Sequence, residues 1–363
     1  MIKVVVDTLG GDNGANTCID GAVQAIKELS DLEVVLVGDK DVIQKRLDEL
    51  SISDSRISIE HAPDEISCND KPTEAIRVKK ESSLYKSFEI LKTVEDANAM
   101  VSTGSTGAIL AGAVLKIGRQ PGVKRPAFCP ILPTVKGGIV GICDSGANAE
   151  SDEQQLTQFA IMGNLYLKTA YGIENPRVAL LNVGVEEEKG DVMLAGGNIF
   201  AVKYADYMLD IPLEDSKFKY ATASIPFYIE SINFVGNMEA RDLLKGVCDL
   251  VVCDGFSGNV LLKSHEGACM EVMKMLKKTL KKGFFNKIGA LLLKKDLYKM
   301  KDFMDYNNYG GAVVLGTKKT IVKGHGSSKS KSVYVCIKQA YNMEKNGLRS
   351  SIENSISVLT QNT

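Results

Sequence analysis

A three-layer α/β/α fold, Rossmann-like and built on a largely parallel sheet, is predicted by three observations. Short runs of β-branched and other apolar residues recur along the 363 residues. Stretches with apolar side chains at three- and four-residue steps separate most of these runs. Several runs also end in glycine beside Asp, Ser, Thr or Asn, just where a turn or helical pattern takes over. The chain shows no repeat, low-complexity tract or Pro/Gly/Ser linker, and its length can bury a full core. Residues 1–363 therefore read as a single α/β domain, with room for two interwoven lobes.

The elements follow in order. Val4–Val6 reads as a buried strand running into Asp7, Gly10, Gly11 and Asp12; Ile19, Val23 and Ile26 then mark a helix, with Asp12, Asn13 or Asn16 as its cap. Glu33–Val37 and Arg56–Glu60 are the next strand-like runs. Ala99–Ser102 leads into TGSTGAILAGAVLK, with Ile109, Leu110 and Val114 at helical spacing. Gly138–Cys143 runs into DSGAN, which holds Asp144 and Asn148. A helix over Asp152–Ala170 follows, with Leu156, Phe159, Ala160 and Gly163 on one side and Ser151 with Gln154 as a capping box. Arg177–Val183 precedes GVEEEKGD, Leu250–Cys253 precedes DGFSGN, and Val313–Leu315 lies in YGGAVVLG ahead of TIVKGHGSS. One such junction is a turn; five on one chain point to the rim of one site, because open α/β sheets bind ligands outside the carboxyl ends of their strands.

Among these junctions VSTGSTGAI is the best anion cradle. Ser102, Thr103, Ser105 and Thr106 offer hydroxyls, Gly104 and Gly107 let the backbone curl, and a helix N-terminus adds partial positive charge. The competing reading is plain helix capping. No GK[ST] ending follows, so this is not a P-loop, and no GxGxxG stands at the right distance from an acid, so nucleotide binding is not indicated. His325, between Gly324 and Gly326 and followed by Ser327, suits a polar or catalytic role better than a core. In DGFSGN, Asp254, Gly255, Ser257, Gly258 and Asn259 stand at a helix start, where capping is the alternative. Glu186, Glu187, Glu188 and Lys189 read either as site residues or as a solvated turn. Arg125 and Arg241 are weaker anion ligands. His265 sits within a helical pattern as a structural or surface residue, and His61 carries no functional weight. No GxSxG elbow supports a hydrolase triad.

Composition excludes other classes. Eight cysteines form no CxxC pair and several lie in apolar runs, which indicates buried reduced thiols; with three scattered histidines, neither metal nor cofactor is expected. No apolar stretch is long enough to span a membrane, and the N-terminus enters a strand without a signal-peptide pattern, so the chain reads as cytoplasmic. Net charge is −1, yet Lys274–Lys301 holds ten lysines and one acid, Asp296, for a local charge of +9. Over 266–304 this basic segment is amphipathic: Leu276, Leu280, Phe284, Ile288 and Leu291 or Leu292 form a stripe, and Gly283 divides it into two helices. Such a segment meets an anionic membrane surface or an acidic protein, or is buried as an ordinary core or dimer helix.

In sequence, VDTLGGDNG, VSTGSTGAILAGA, DSGAN, PRVALLNVGVEEEKG, FVGNMEARDLLKG, LVVCDGFSGNVLLKS, NYGGAVVLG and GHGSS together resemble the PlsX-type phosphate acyltransferases of bacterial phospholipid synthesis, from residue 6 to 328. The resemblance implies transfer of a fatty acyl group from acyl carrier protein to inorganic phosphate, giving acyl phosphate. It also implies a homodimer with a fold similar to the isocitrate dehydrogenase-like group, working at the inner face of the membrane and supplying a membrane acyltransferase, with no nucleic-acid partner. On this reading His325 or Lys189 neutralises or orients phosphate. Backbone N–H groups around Gly255–Gly258 or Gly10–Gly11 stabilise the oxyanion, and Asp7 and Asp254 orient donors. The nearest alternative is a phosphotransacetylase-like enzyme using a short acyl-coenzyme A; a silent carrier-binding scaffold has no use for so many glycine-rich junctions.

Overall fold

A computed structural model describes residues 1–186, 232–303 and 308–361. Its strands are β1 (Ile2–Asp7), β2 (Leu32–Gly38), β3 (Ile57–His61), β4 (Ala97–Ser102), β5 (Ala127–Cys129), β6 (Ile131–Pro133), β7 (Ile139–Cys143), β8 (Arg177–Asn182), β9 (Asn233–Glu239), β10 (Leu250–Val252), β11 (Ala312–Leu315) and β12 (Thr320–Lys323). They form a seven-stranded sheet in the order β3-β2-β1-β4-β12-β11-β5 and a five-stranded sheet in the order β6-β7-β10-β8-β9. In the larger sheet β11 runs antiparallel to both neighbours; in the smaller, β6 runs antiparallel to β7. All other pairs are parallel.

The helices are α1 (Ala15–Glu28), α2 (Lys40–Glu49), α3 (Pro72–Val78), α4 (Ser83–Thr93), α5 (Thr106–Gly112), α6 (Glu153–Tyr171), α7 (Gly255–Lys281), α8 (Phe284–Leu292), α9 (Lys294–Phe303), α10 (Ser330–Lys345) and α11 (Leu348–Gln361). A π-helical turn, Ala113–Ile117, extends α5. Alternate residues of a strand face opposite sides, and the larger sheet obeys this. Val4, Val6 and Val101 join α1, α6, α10 and α11 in a core shared with β8 and β10. Val5, Met100 and Ile321 face α4 and α5, against Phe88 and Ile109. A third cluster covers the other face of the smaller sheet, with Val140, Ile142 and Val251 against Leu243. The first cluster thus welds both sheets into one body.

Several expectations shift. β5, β6, β9 and β12 were not expected as strands; β5 and β6 are short and flank Pro130, and proline reads as a breaker unless the strand lies at an edge, as β6 does. The capping box of α6 lies one residue later than predicted: Asp152 accepts from the Gln155 N–H at 2.8 Å and Gln155 accepts from the Asp152 N–H at 3.3 Å. α1 has no side-chain cap; Gly14 precedes it. The expected cap Asn13 instead donates its amide to the carbonyls of Ser327 and Ser328 at 3.0 and 2.9 Å. Six of the eight cysteines are buried and all are free. Lys189, Glu187 and Glu188 lie outside the described residues.

The basic segment stands apart from the body. In α7 only Gly255 and Gly258 are buried, and in α8 no residue is. At ~1.5 Å per residue, the 27 residues of α7 extend roughly 40 Å. The helix breaks at Lys282–Gly283 as predicted, and Phe284, Phe285, Leu291 and Leu292 beyond the break are 74, 84, 69 and 80% exposed.

Candidate active site

Three glycine turns meet at the carboxyl ends of three adjacent parallel strands, β1, β4 and β12. The Asp12 N–H donates to the Gly326 carbonyl at 2.9 Å, and the Gly324 N–H donates to the Ser102 carbonyl at 2.8 Å. At Gly10 a Cβ would stand 2.6 Å from Gly104 Cα and 2.7 Å from its nitrogen, so the first and second turns touch backbone to backbone only because neither carries a side chain. Gly11 packs likewise against Thr103.

Asp7, the last residue of β1, is buried beneath these turns. Its carboxylate accepts from the Ser83 and Ser102 hydroxyls, each at 2.6 Å, and from the Leu9 N–H at 3.3 Å. Burial pushes its pKa above the usual carboxylate range, against the opposing pull of those donors. The Ser102 hydroxyl also accepts from the Gly104 N–H at 3.1 Å. Ser102 and Gly104 are thus engaged within the protein, and Asp7 orients them. Thr103 and Ser105 are buried, while Thr106 at the start of α5 is exposed. Ser105 precedes α5 without a side-chain cap bond, so the first N–H groups of that helix are open, as at any uncapped start. Among the described residues no acceptor takes the N–H groups of Gly10 and Gly11.

His325 and Ser327 are exposed on the third turn. The imidazole Nδ1 meets the Ser327 hydroxyl at 2.8 Å and accepts from the Ser327 N–H at 3.2 Å. Desolvation, with the Lys323 ammonium as a second cause, draws the His325 pKa below its ordinary value.

The second group of predicted residues lies at the carboxyl ends of β7 and β10 in the smaller sheet. The Asp144 carboxylate accepts from the Phe128 N–H at 2.8 Å, the Asn148 N–H at 2.7 Å, the Asn148 amide at 3.0 Å and the Ala147 N–H at 3.0 Å. Phe128 belongs to β5, so this carboxylate ties the smaller sheet to the larger one. Burial raises its pKa against the pull of these N–H donors. Asp254 caps α7: its carboxylate accepts from the Ser257 N–H and hydroxyl, both at 2.8 Å. The N–H groups of Gly255 and Gly258 are engaged by the carbonyls of Asn148 and Asp254 at 2.7 and 3.0 Å. Three of the N–H groups expected as oxyanion donors in this stretch, those of Gly255, Ser257 and Gly258, are therefore occupied within the protein, whereas among the described residues those of Gly10 and Gly11 are not. Asn259 packs beside Gly146.

Beside the second group opens a cleft of about 570 Å³ lined by Leu110, Val114, Arg119, Lys124, Arg125, Pro126, Ala147 and Asn148. Arg119 donates to the Lys124 carbonyl, and among the described residues none of the three cations has a carboxylate partner. Leu110 on α5 and Val114 on its π-helical extension form one wall and the DSGAN loop another. Arg125 thus gains a setting, whereas Arg241 pairs with Glu239. His265 lies within α7 against the Cys269 thiol at 3.3 Å, and the His61 Nδ1 accepts from the Lys40 N–H at 3.1 Å. No group of three metal-ligating side chains occurs among the described residues.

Sequence reasoning missed two residues here. Ser83 lies far from any junction and signalled nothing. Lys323, last in TIVK, stood immediately before the quoted GHGSS, and its signal was its place at the strand's carboxyl end.

Residues 2–351 match the model of a family described as "Fatty acid synthesis protein". The chain is 38% identical to the phosphate acyltransferase of Clostridioides difficile, over 98% of this chain and 96% of that one. To the phosphate acyltransferase of Bacillus cereus strain B4264 it is 42% identical, over 94% of each. Among solved structures, a phosphotransacetylase from Streptococcus pyogenes aligns over 94% of each chain with a TM-score of 0.60 at 15% identity. The EutD phosphotransacetylase from Staphylococcus aureus aligns over the same share with a TM-score of 0.52 and the same identity. These two likenesses establish the fold.

Proposed function

We propose, from the premise that this chain belongs to the phosphate acyltransferase family, that it moves a fatty acyl group from acyl carrier protein to inorganic phosphate for phospholipid synthesis. An oxygen of hydrogen phosphate attacks the thioester carbonyl and a C–O bond forms. The C–S bond breaks, and the phosphate's proton passes to the departing sulfur, leaving acyl phosphate and a free thiol. Phosphate is already a nucleophile near neutral pH, so no side chain need be acylated. The protein's work is to position the reactants and stabilise the developing oxyanion.

The observation that carries this reading is the meeting of three glycine turns on adjacent parallel strands, with open N–H groups at Gly10, Gly11 and the start of α5. Thr106, His325 and Ser327 line the accessible side; Asp7, Ser102, Thr103 and Gly104 hold the turns in place. Asp144 and Asn148 set the facing wall, and Asp254, with Ser257, starts α7 beside it. His325 or Lys189 helps to neutralise or orient the phosphate. The cleft suits the acidic carrier and its thioester: Arg119, Lys124 and Arg125 offer cations, Leu110 and Val114 an apolar wall.

The arm of α7–α9 supports an association with the inner membrane surface, where acyl phosphate reaches a membrane acyltransferase. Its lysines suit anionic headgroups, and the exposed Phe284, Phe285, Leu291 and Leu292 suit the acyl boundary. No helix among the described residues is long and apolar enough to cross a membrane. Exposed Val260, Met270, Val272 and Met275 on α7 fit burial against a second copy in a homodimer.

Thiol release from palmitoyl-acyl carrier protein, with and without inorganic phosphate, tests the reaction. Phosphate-dependent release with acyl phosphate trapped by hydroxylamine is expected. Turnover of acetyl-coenzyme A alone would instead favour the short-chain alternative.

A further inference from the structure

Strand parity in the larger sheet assembles a row of polar residues from three separate turns. Val5, Met100 and Ile321 pair across β1, β4 and β12 and share the face turned to α4 and α5. Two residues further along each strand stand Asp7, Ser102 and Lys323, and Ser102 pairs directly with Lys323. Parallel strands keep paired side chains on one face, so carboxylate, hydroxyl and ammonium line up along the carboxyl edge of the sheet. The first two are joined by the 2.6 Å bond from Ser102 to Asp7. The third has no such partner: among the described residues no hydrogen bond or ion pair engages the Lys323 ammonium, although the residue is largely withdrawn from solvent.

A half-buried, unpartnered lysine is costly to maintain and is retained where an anion arrives to meet it. The charged and ionisable groups around it are Glu266 and Lys263 on α7, Cys68, Cys336 and, one turn on, His325. Glu266 lies beyond ion-pair distance, and the other groups supply no anion. Lys323 also heads the GHGSS turn, whose Gly326 carbonyl is bonded to Asp12 in the first turn.

We propose that Lys323 is the cation that binds the phosphate acceptor, which makes it a catalytic residue in direct contact with substrate. The identity of the anion rests on the acyl-transfer reading above; the site itself rests on the row. Phosphate lies over the edge of β12, held by the Lys323 ammonium, with His325 on the turn that follows and Gly10 and Gly11 on the turn joined to it through the Asp12–Gly326 bond. Asp7 acts one step away, by fixing Ser102 beside the lysine.

The test uses the full-length Lys323→Met and Lys323→Arg variants, with Lys45→Met on the exposed face of α2 as a charge control. Rates of thiol release give KM for inorganic phosphate and for acyl-acyl carrier protein, and thermal unfolding with and without inorganic phosphate gives a readout independent of turnover. The expected result for Lys323→Met is a KM for phosphate raised tenfold or more, a thioester KM within twofold, and loss of the phosphate-induced rise in Tm; Lys323→Arg lies between it and the parent. An unchanged phosphate KM in Lys323→Met overturns the proposal. So does a lowered Tm with unchanged KM, which would make the lysine a structural partner of Glu266. If the parent protein releases no thiol while phosphate still raises its Tm but not that of Lys323→Met, the site stands and the acyl-transfer reading falls. If Lys323→Met does not fold, Lys323→Arg decides by the same KM comparison.

Discussion

The first turn of α7 and the rest of that helix are one continuous element, yet they obey different physics. At Gly258 a Cβ would stand 1.9 Å from the Asp144 carbonyl oxygen; at Gly267, nine residues on, nothing lies within 4 Å. The first glycine sits where two turns are forced together to form the site's wall. The second sits on a helix whose only buried residues, Gly255 and Gly258, are at its base. Close approach fixes geometry in the body, whereas amphipathic patterning alone suffices for the arm.

Substitutions sharpen that contrast, beginning with the largest effect. Gly258→Ala is expected to cost ~3 kcal/mol or more, because the Asp144 backbone cannot retreat without parting the sheets; chemical denaturation measures it. Asp7→Asn should cost about 2 kcal/mol, since one of the two hydroxyl donors loses its acceptor in a buried setting. It should also abolish phosphate-dependent thiol release by freeing Ser102. Retained turnover would show that the row does not need its carboxylate.

Gly267→Ala tests the arm from the other side. A helical glycine with open space around it costs about 1 kcal/mol against alanine, so this change should raise the denaturation midpoint. A fall would mean that α7 is packed there against something other than solvent.

The pH profile addresses Lys323. Burial draws its pKa below the ordinary lysine value, so the ammonium is lost as pH rises, beginning below the usual lysine range. The KM for phosphate should therefore climb on the alkaline side. Lys323→Arg keeps its charge there and should flatten the climb.

The smallest effect on stability is expected at the tip of the arm. Leu292→Glu should change the unfolding free energy by no more than ~0.5 kcal/mol, as for other exposed sites, yet remove sedimentation with anionic vesicles. Unimpaired vesicle binding would break the proposed membrane role. Binding that persists in high salt would show that the lysines contribute little.

Much of this was legible in the sequence because the signals were local. The β-branched runs marked the parallel strands of the core, and Gly283 marked the break in the arm. The glycine-rich junctions marked the rim, since a strand that ends in glycine and hydroxyl residues can only turn there. Asp254 shows the limit: its capping geometry was foreseeable, and with it the bond from the Gly258 N–H to its carbonyl, but not that Gly255 would surrender its N–H to Asn148.

By itself, the sequence determined the α/β alternation, the placing of glycine turns at strand ends, the family, and an arm both basic and apolar; each follows from spacing or composition within a short window. Only the tertiary structure decided that the strands divide between two sheets, that Asp144 bridges them through Phe128, and that Asp7, Ser102 and Lys323 form one row. Those facts depend on which strands are neighbours and in what register. Residues 95 and 221 positions apart in the chain are brought together by the burial of side chains between them, and no local pattern encodes that pairing.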